Sequence, residues 1–127
     1  MWTIQWNDNE PHSIESSEHL NRLLDELSSA HENQRPILVQ LRSPSGEVLM
    51  IGLGGDKNVL DHIAASGWPA QHSVGDPEAV GTIAYMMGSY DSEMPKAYAI
   101  PNTLARRAID HFFRTGTLLA DVRWDED

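Results

Sequence analysis

The stretch Gly52-Leu53-Gly54-Gly55-Asp56-Lys57 places glycines before a lysine, residue types that can cradle a phosphate. A dinucleotide-binding turn needs a third glycine where Lys57 stands. A nucleoside-triphosphate loop needs Gly-Lys-Ser/Thr opening a helix, which Asp56-Lys57-Asn58 does not supply. A bulge or turn after a buried strand explains these glycines better. Six histidines (His12, His19, His31, His62, His72, His111) invite a metal site, yet none forms a His-x-x-x-His pair, and Arg35 follows His31-Glu32 where a second ligand would stand. Gly88-Ser89-Tyr90-Asp91 lacks the second glycine of a nucleophile elbow. A carboxylate pair drawn from Asp76, Asp91 and Glu93 could do acid–base work only if a cleft held two such groups in different environments. These segments read more simply as solvated turns. Neither catalysis nor a cofactor is expected.

Aromatic residues among acids offer a different chemistry. Trp68 precedes a proline, Tyr90 opens an acidic stretch with Asp91 and Glu93, and Tyr98 follows. Aromatic anchors ringed by charge give protein interfaces their affinity and their fast, steered association. Tyr98 fits the core better than a surface. Trp68, Tyr90, Asp91 and Glu93 are therefore the expected contacts to a protein partner, with Asp8 and Glu10 as outer electrostatic contributors.

The elements that must position them follow from periodicity. Trp2, Ile4 and Trp6 alternate with Thr3 and Gln5, a strand with one buried aromatic face, and a loop NDNEPHS follows. A helix begins at about Ser16 or Ser17, turns Leu20, Leu23, Leu24 and Leu27 inward, and stops at HENQRP. Ile37–Leu41 and Val48–Leu53 flank Ser43-Pro44-Ser45-Gly46 as a hairpin, and the second strand is apolar enough to be central. Asn58–Ala65 fits a helical turn or an edge strand, and Gln71–Val74 a short strand. Thr82–Met87 is a strand, Gly88–Pro95 a polar turn, and Lys96–Ile100 an antiparallel return. Asn102 is placed to cap a helix bearing Leu104, Ala105, Ala108, Ile109, Phe112 and Phe113. Gly116 closes that helix, and Leu118–Trp124 makes a last strand. This predicts an α+β fold: a mostly antiparallel sheet with two helices packed on one face. Thr3, Gln5, Gln40 and Arg42 would supply a polar second face.

The 127 residues suit a single domain, 1–127, and the absence of cysteine excludes disulfides and thiolate chemistry. No apolar run has the length of a signal peptide or a membrane span, so a cytoplasmic protein is expected. Nineteen acids against nine bases give a net charge of −10, with seven acids and one base in residues 1–34. Such a surface repels nucleic-acid phosphates and favours basic partners.

Several short motifs together resemble a known family. These are Ser73-Val74-Gly75-Asp76 after the tryptophan loop, Ile100-Pro101 opening a helix, Phe113-Arg114-Thr115-Gly116, Val122-x-Trp124, and the earlier Gly52-Leu53-Gly54 with Asp56. From Ile37 to Trp124 the chain is similar to the first-numbered immunity protein family of bacterial polymorphic toxin systems. Each motif marks a turn or a helix end, so none carries over as a binding site. The resemblance implies a non-catalytic inhibitor of a cognate toxin encoded beside it, often one with a nucleic-acid deaminase domain. Other readings are a non-catalytic acidic subunit or regulator of a basic partner and a small carboxylate-dependent enzyme.

Overall fold

A computed structural model of the chain describes residues 1–7, 9–30 and 35–127. Asp8 and most of the expected helix stop at HENQRP lie outside the described residues. The elements in order are β1 (Trp2–Trp6), β2 (His12–Ile14), α1 (Ser17–Ala30), β3 (Ile37–Arg42), β4 (Val48–Leu53), β5 (Lys57–Ile63), β6 (Ala70–Val74), β7 (Thr82–Met87) and β8 (Tyr90–Pro95). A single 3-10 turn at Lys96–Tyr98 leads to β9 (Ile100–Pro101), α2 (Asn102–Thr115) and β10 (Arg123–Glu126). The main path of the sheet runs β10-β6-β5-β4-β3-β1-β2; the β7–β8 hairpin joins it through β3, and β9 joins through β5. Every pairing is antiparallel except the short contact of β7 with β3 at Ile37 and Met86. The α+β expectation holds.

Alternation decides which side each strand residue serves. Ile4, Val39, Leu41, Leu49, Ile51 and Leu60 turn to one face and pack with Leu20, Leu24 and Leu27 of α1 and Ala105, Ala108, Ile109 and Phe112 of α2. Both helices cover that face. Burying one such Leu, Ile or Phe side chain contributes roughly 1.5–3 kcal/mol, so the helices are held by this face rather than by intrinsic propensity. The Ser16 hydroxyl accepts the His19 N–H at 3.1 Å, which fixes the start of α1. At its far end α2 closes on Gly116, whose φ of +73° lets its N–H reach the Phe112 carbonyl at 2.8 Å.

The second face departs from the polar expectation. Thr3, Gln5, Gln40 and Arg42 do lie on it, but the β7–β8 hairpin folds over part of it. Tyr85 and Ala99 there make a second, smaller core with Leu38 and Val59, flanked by Met50, Ile83, Met87 and Met94. The Tyr85 ring lies where a Cβ on Gly52 would stand, 2.5 Å from its ring carbon, so Gly52 makes room for the hairpin.

Other elements also differ. The N-terminal loop contains β2, because Trp2 to Ile4 need a partner on the edge opposite β3. Asn58–Ala65 is neither helix nor edge: β5 lies between β4 and β6, and the apolar Val59 and Leu60 serve opposite faces. Lys96–Ile100 is not a strand returning along β7, since β8 has already made that return: Lys96–Tyr98 is the 3-10 turn, and Ile100 belongs to β9, which pairs β5. Asn102 does not cap α2. Its backbone N–H is engaged by the Asp56 carbonyl at 3.1 Å, its side chain leans towards the Gly55 carbonyl at 3.5 Å, and Pro101 takes the cap position. Only Arg123–Glu126 of the last segment is strand. Leu118 and Leu119 instead close the helical core, and the Trp124 indole N–H donates to the Leu119 carbonyl at 3.0 Å.

The family motifs occupy structural joints. Ser73 is fully buried; its hydroxyl accepts the Leu60 N–H at 3.1 Å and donates to the Tyr98 carbonyl at 2.7 Å, tying β5, β6 and the 3-10 turn together. Ser73→Ala leaves the buried Leu60 N–H and the partly buried Tyr98 carbonyl without that partner. It should lower stability by about 2 kcal/mol in urea unfolding; a loss within experimental error would mean the joint is not held by this hydroxyl.

Candidate protein-binding surface

Part of the second face is left uncovered by the hairpin. Directly opposed residues share a face, so the pairings Gln5–Gln40, Gln40–Met50, Met50–Asp61 and Asp61–His72 define one row across five strands. A neighbouring row runs Thr3, Arg42, Val48, Ile63 and Ala70. Gln5, Gln40, Met50, Asp61 and Ile63 are only half-buried. This sheet surface mixes polar and apolar residues, and two exposed aromatics stand at its margins.

Trp68 stands at one margin, in the turn joining β5 to β6. It is 59% exposed on a turn secured by the Ser66 hydroxyl donating to the Trp68 carbonyl at 2.7 Å and by the Gly67 N–H on the Ala64 carbonyl at 2.8 Å. Tyr90 is 63% exposed at the tip of the β7–β8 hairpin and borders a small cleft with Gln5, Trp6, Asn7 and Gln40. A large apolar side chain fixed at the surface by a rigid turn loses little entropy when a partner covers it.

Asp91 and Glu93 are not in a turn as expected. They lie on β8, opposite Met86 and Ala84, because Gly88 and Ser89 alone make the reversal. Strand alternation turns both away from the second core, to the side opposite Tyr90. Asp91 pairs with Arg35. Glu93 forms no ion pair among the described residues. Glu10 is exposed just before β2. The expected contacts thus divide between the uncovered sheet face (Trp68, Tyr90) and the outer side of the hairpin (Asp91, Glu93).

The carboxylates considered for acid–base work do not share a cleft. Asp76 lines a cavity of about 280 Å³ with Lys57, Tyr85 and Lys96, and neither Asp91 nor Glu93 reaches it. Burial pushes the Tyr85 phenol up to about 12. A larger groove of about 690 Å³ separates α1 from α2, and Arg106 spans it to the Asn21 carbonyl at 2.9 Å and Asp25 at 2.7 Å. Among the described residues no group of three or more His, Asp or Glu is placed to hold a metal. The glycine stretch Gly52–Lys57 leads from one strand into the next, with Gly54 and Gly55 at φ of +126° and +80°, as a turn requires. Among the described residues no helix is long and apolar enough to cross a membrane.

Sequence reading missed Asp61. Burial, and then the Asp127 carboxylate beside it, push its carboxyl up to about 7 from the usual 3.8. The Asp127 carboxylate also accepts from the His72 ring at 2.7 Å, and His72 stacks on Tyr98 with centroids 3.6 Å apart. The signal was present: an acid directly after the apolar pair Val59-Leu60 and before His62-Ile63. Folded Asp61 holds its proton to a higher pH than unfolded Asp61, so the native state binds more protons between the two values. Stability contributed by the neutral carboxyl is complete below about pH 4 and falls as pH rises through about 7. Asp61→Asn should remove this decline, making the variant more stable than the parent at about pH 8 with the gain vanishing near pH 4. Thermal unfolding across that range checks it, and parallel profiles would contradict it.

A search of curated proteins finds no match to the chain. The family model described as Immunity protein Imm1 matches residues 8–126, nearly the whole length. The matched span includes the glycine turns, the buried Ser73 joint, the Pro101 entry to α2 and the Gly116 stop. The chain belongs to the Imm1 immunity protein family.

Proposed function

We propose that this chain is one domain that acts in the cytoplasm by binding a cognate toxin and blocking it, with no reaction and no cofactor of its own. The family match carries this reading: an immunity protein has a toxin protein as its partner. The resemblance to the immunity family of polymorphic toxin systems implies a finer statement, that the toxin is a nucleic-acid deaminase, and the net charge of −10 supports a partner with a basic, nucleic-acid-binding surface. Base deaminases work on a flipped or single-stranded base in a snug pocket, beside phosphates that require a basic approach. An acidic protein over that mouth competes with the nucleic acid for the same positive groups. Trp68 and Tyr90 anchor the contact, while Asp91, Glu93, Glu10 and Asp8 add charge. Roughly 1,600 Å² of total buried surface and a Kd on the order of nanomolar or tighter are ordinary for such a pair.

The test is deamination of single-stranded DNA and RNA by the toxin domain encoded beside this protein. Equimolar addition of the protein should abolish base conversion. Unchanged conversion rejects the inhibitor, and a toxin that converts no base rejects the deaminase while leaving the immunity role. Trp68→Ala should weaken binding by about 2 kcal/mol without lowering stability, since an anchor at an interface centre has that worth and this one is mostly exposed. Equal affinity of variant and parent in titration would remove Trp68 from the interface.

A further inference from the structure

Among the described residues four strands have a single partner, and β8 is the longest of them: six residues against three in β2, two in β9 and four in β10. It pairs with β7 alone among the described residues. Gly88 and Ser89 separate Met87 from Tyr90, and Gly88 has a φ of +66°, the first-position glycine of a type II′ hairpin turn. In a hairpin with a two-residue loop the flanking residues close the ladder, so Met87 and Tyr90 exchange backbone hydrogen bonds. The antiparallel alternation then assigns the rest. Tyr90, Ser92 and Met94 turn their backbone groups towards β7, and Asp91 and Glu93 turn their N–H and C=O outward to solvent. Pro95 ends the outward series with a carbonyl and no donor.

An outward ladder of this kind is a template for another strand unless something blunts it. Here the blunting is charge. The side chains on the two outward-bonding residues are both acids and both exposed. Two copies of this edge would bring four carboxylates together, so a second copy of the chain is the wrong occupant. A basic strand is the right one. With Asp91 already held by Arg35, Glu93 is the carboxylate of this edge that has no ion-pair partner among the described residues and can meet an incoming cation.

We propose that β8 receives an extended segment of the toxin as an added strand, with a lysine or arginine opposite Glu93 and an apolar side chain on the opposite side, towards Tyr90. The inference rests on the toxin-binding reading and adds to it the edge used and the chemistry of the segment. Residues three apart on a strand point to opposite faces, so one segment can meet both Glu93 and Tyr90. Main-chain bonds would then supply affinity, and the two side chains the choice of partner.

Amide hydrogen exchange on the native protein, free and saturated with a catalytically inactive toxin domain, tests this directly. The outward amides of Asp91 and Glu93 exchange quickly in the free chain and should slow by about tenfold or more in the complex. Unchanged exchange at both, in a complex that forms, overturns the edge and leaves the immunity reading standing. Failure of the native chain to bind overturns both. Glu93→Pro and Glu93→Gln both remove the charge; the proline also removes an outward N–H while leaving the hairpin ladder whole, whereas the glutamine keeps that donor. Glu93→Pro should bind about tenfold more weakly than Glu93→Gln. Equal affinities of the two variants, each confirmed folded by circular dichroism, overturn strand addition.

Discussion

Gly75→Ala should cost about 3–5 kcal/mol and lower the midpoint of thermal unfolding by more than about 10 °C. A Cβ at Gly75 would stand 1.7 Å from the Ala99 carbonyl oxygen and 2.8 Å from its carbon. The obstacle is backbone, and that backbone cannot retreat. The Ala99 N–H is bonded to the Lys96 carbonyl at 3.1 Å, Ile100 pairs with Asn58 of β5, and both residues are buried. The Gly75 N–H donates to the Ala97 carbonyl at 2.8 Å, so any shift that relieves the clash also breaks this bond. What fails is the seating of the segment that delivers α2 onto the sheet. A stability close to that of the parent would mean that Ala97–Ile100 does not lie against the end of β6.

Phe112→Ala comes next, at about 3–5 kcal/mol. Phe112 is fully buried at the centre of the helical core, edge-on to Trp2 at 5.2 Å and to His62 at 5.5 Å. Its removal strips α2 of its largest apolar group and leaves a cavity against β1 and β5 that neither rigid strand can fill. Phe113, beside it, is only partly buried against Trp2. Phe113→Ala should therefore cost distinctly less in the same urea titration. Equal costs would mean that the two rings are buried alike.

Much of this fold was legible because its elements announce themselves locally. Leucine spacing in α1, the Ser43–Gly46 turn, the apolar run of β4 and the Gly116 stop each have a local cause that tertiary contacts did not override. Asn102 shows the opposite case: a good capping residue whose backbone N–H was claimed by β5's approach and whose side chain was drawn aside. β8 was misread because acids and a proline look like a turn, while the alternation of Tyr90, Ser92 and Met94 against Asp91 and Glu93 is weak evidence without knowledge of what the strand covers. β5 was ambiguous for a related reason. A central strand needs apolar residues on both faces, and Val59-Leu60 with Ile63 suits a helix as well. Of the candidate surface, the exposure of Trp68 and Tyr90 could be guessed from their polar neighbours. The half-buried row through Gln40, Met50 and Asp61 could not, since it exists only once the strands are in register.

Both aromatic margins, the uncovered sheet face and the acidic hairpin edge serve one claim: that this chain inhibits a toxin by covering it. Calorimetric titration of the protein into the catalytically inactive toxin domain encoded beside it, repeated at rising salt, tests that claim most directly. The account predicts one-to-one binding on the order of nanomolar or tighter that weakens as salt screens the charge of −10. Tight binding indifferent to salt would keep the partner and shift the energy to Trp68 and Tyr90. No heat of binding at micromolar concentrations would contradict the claim.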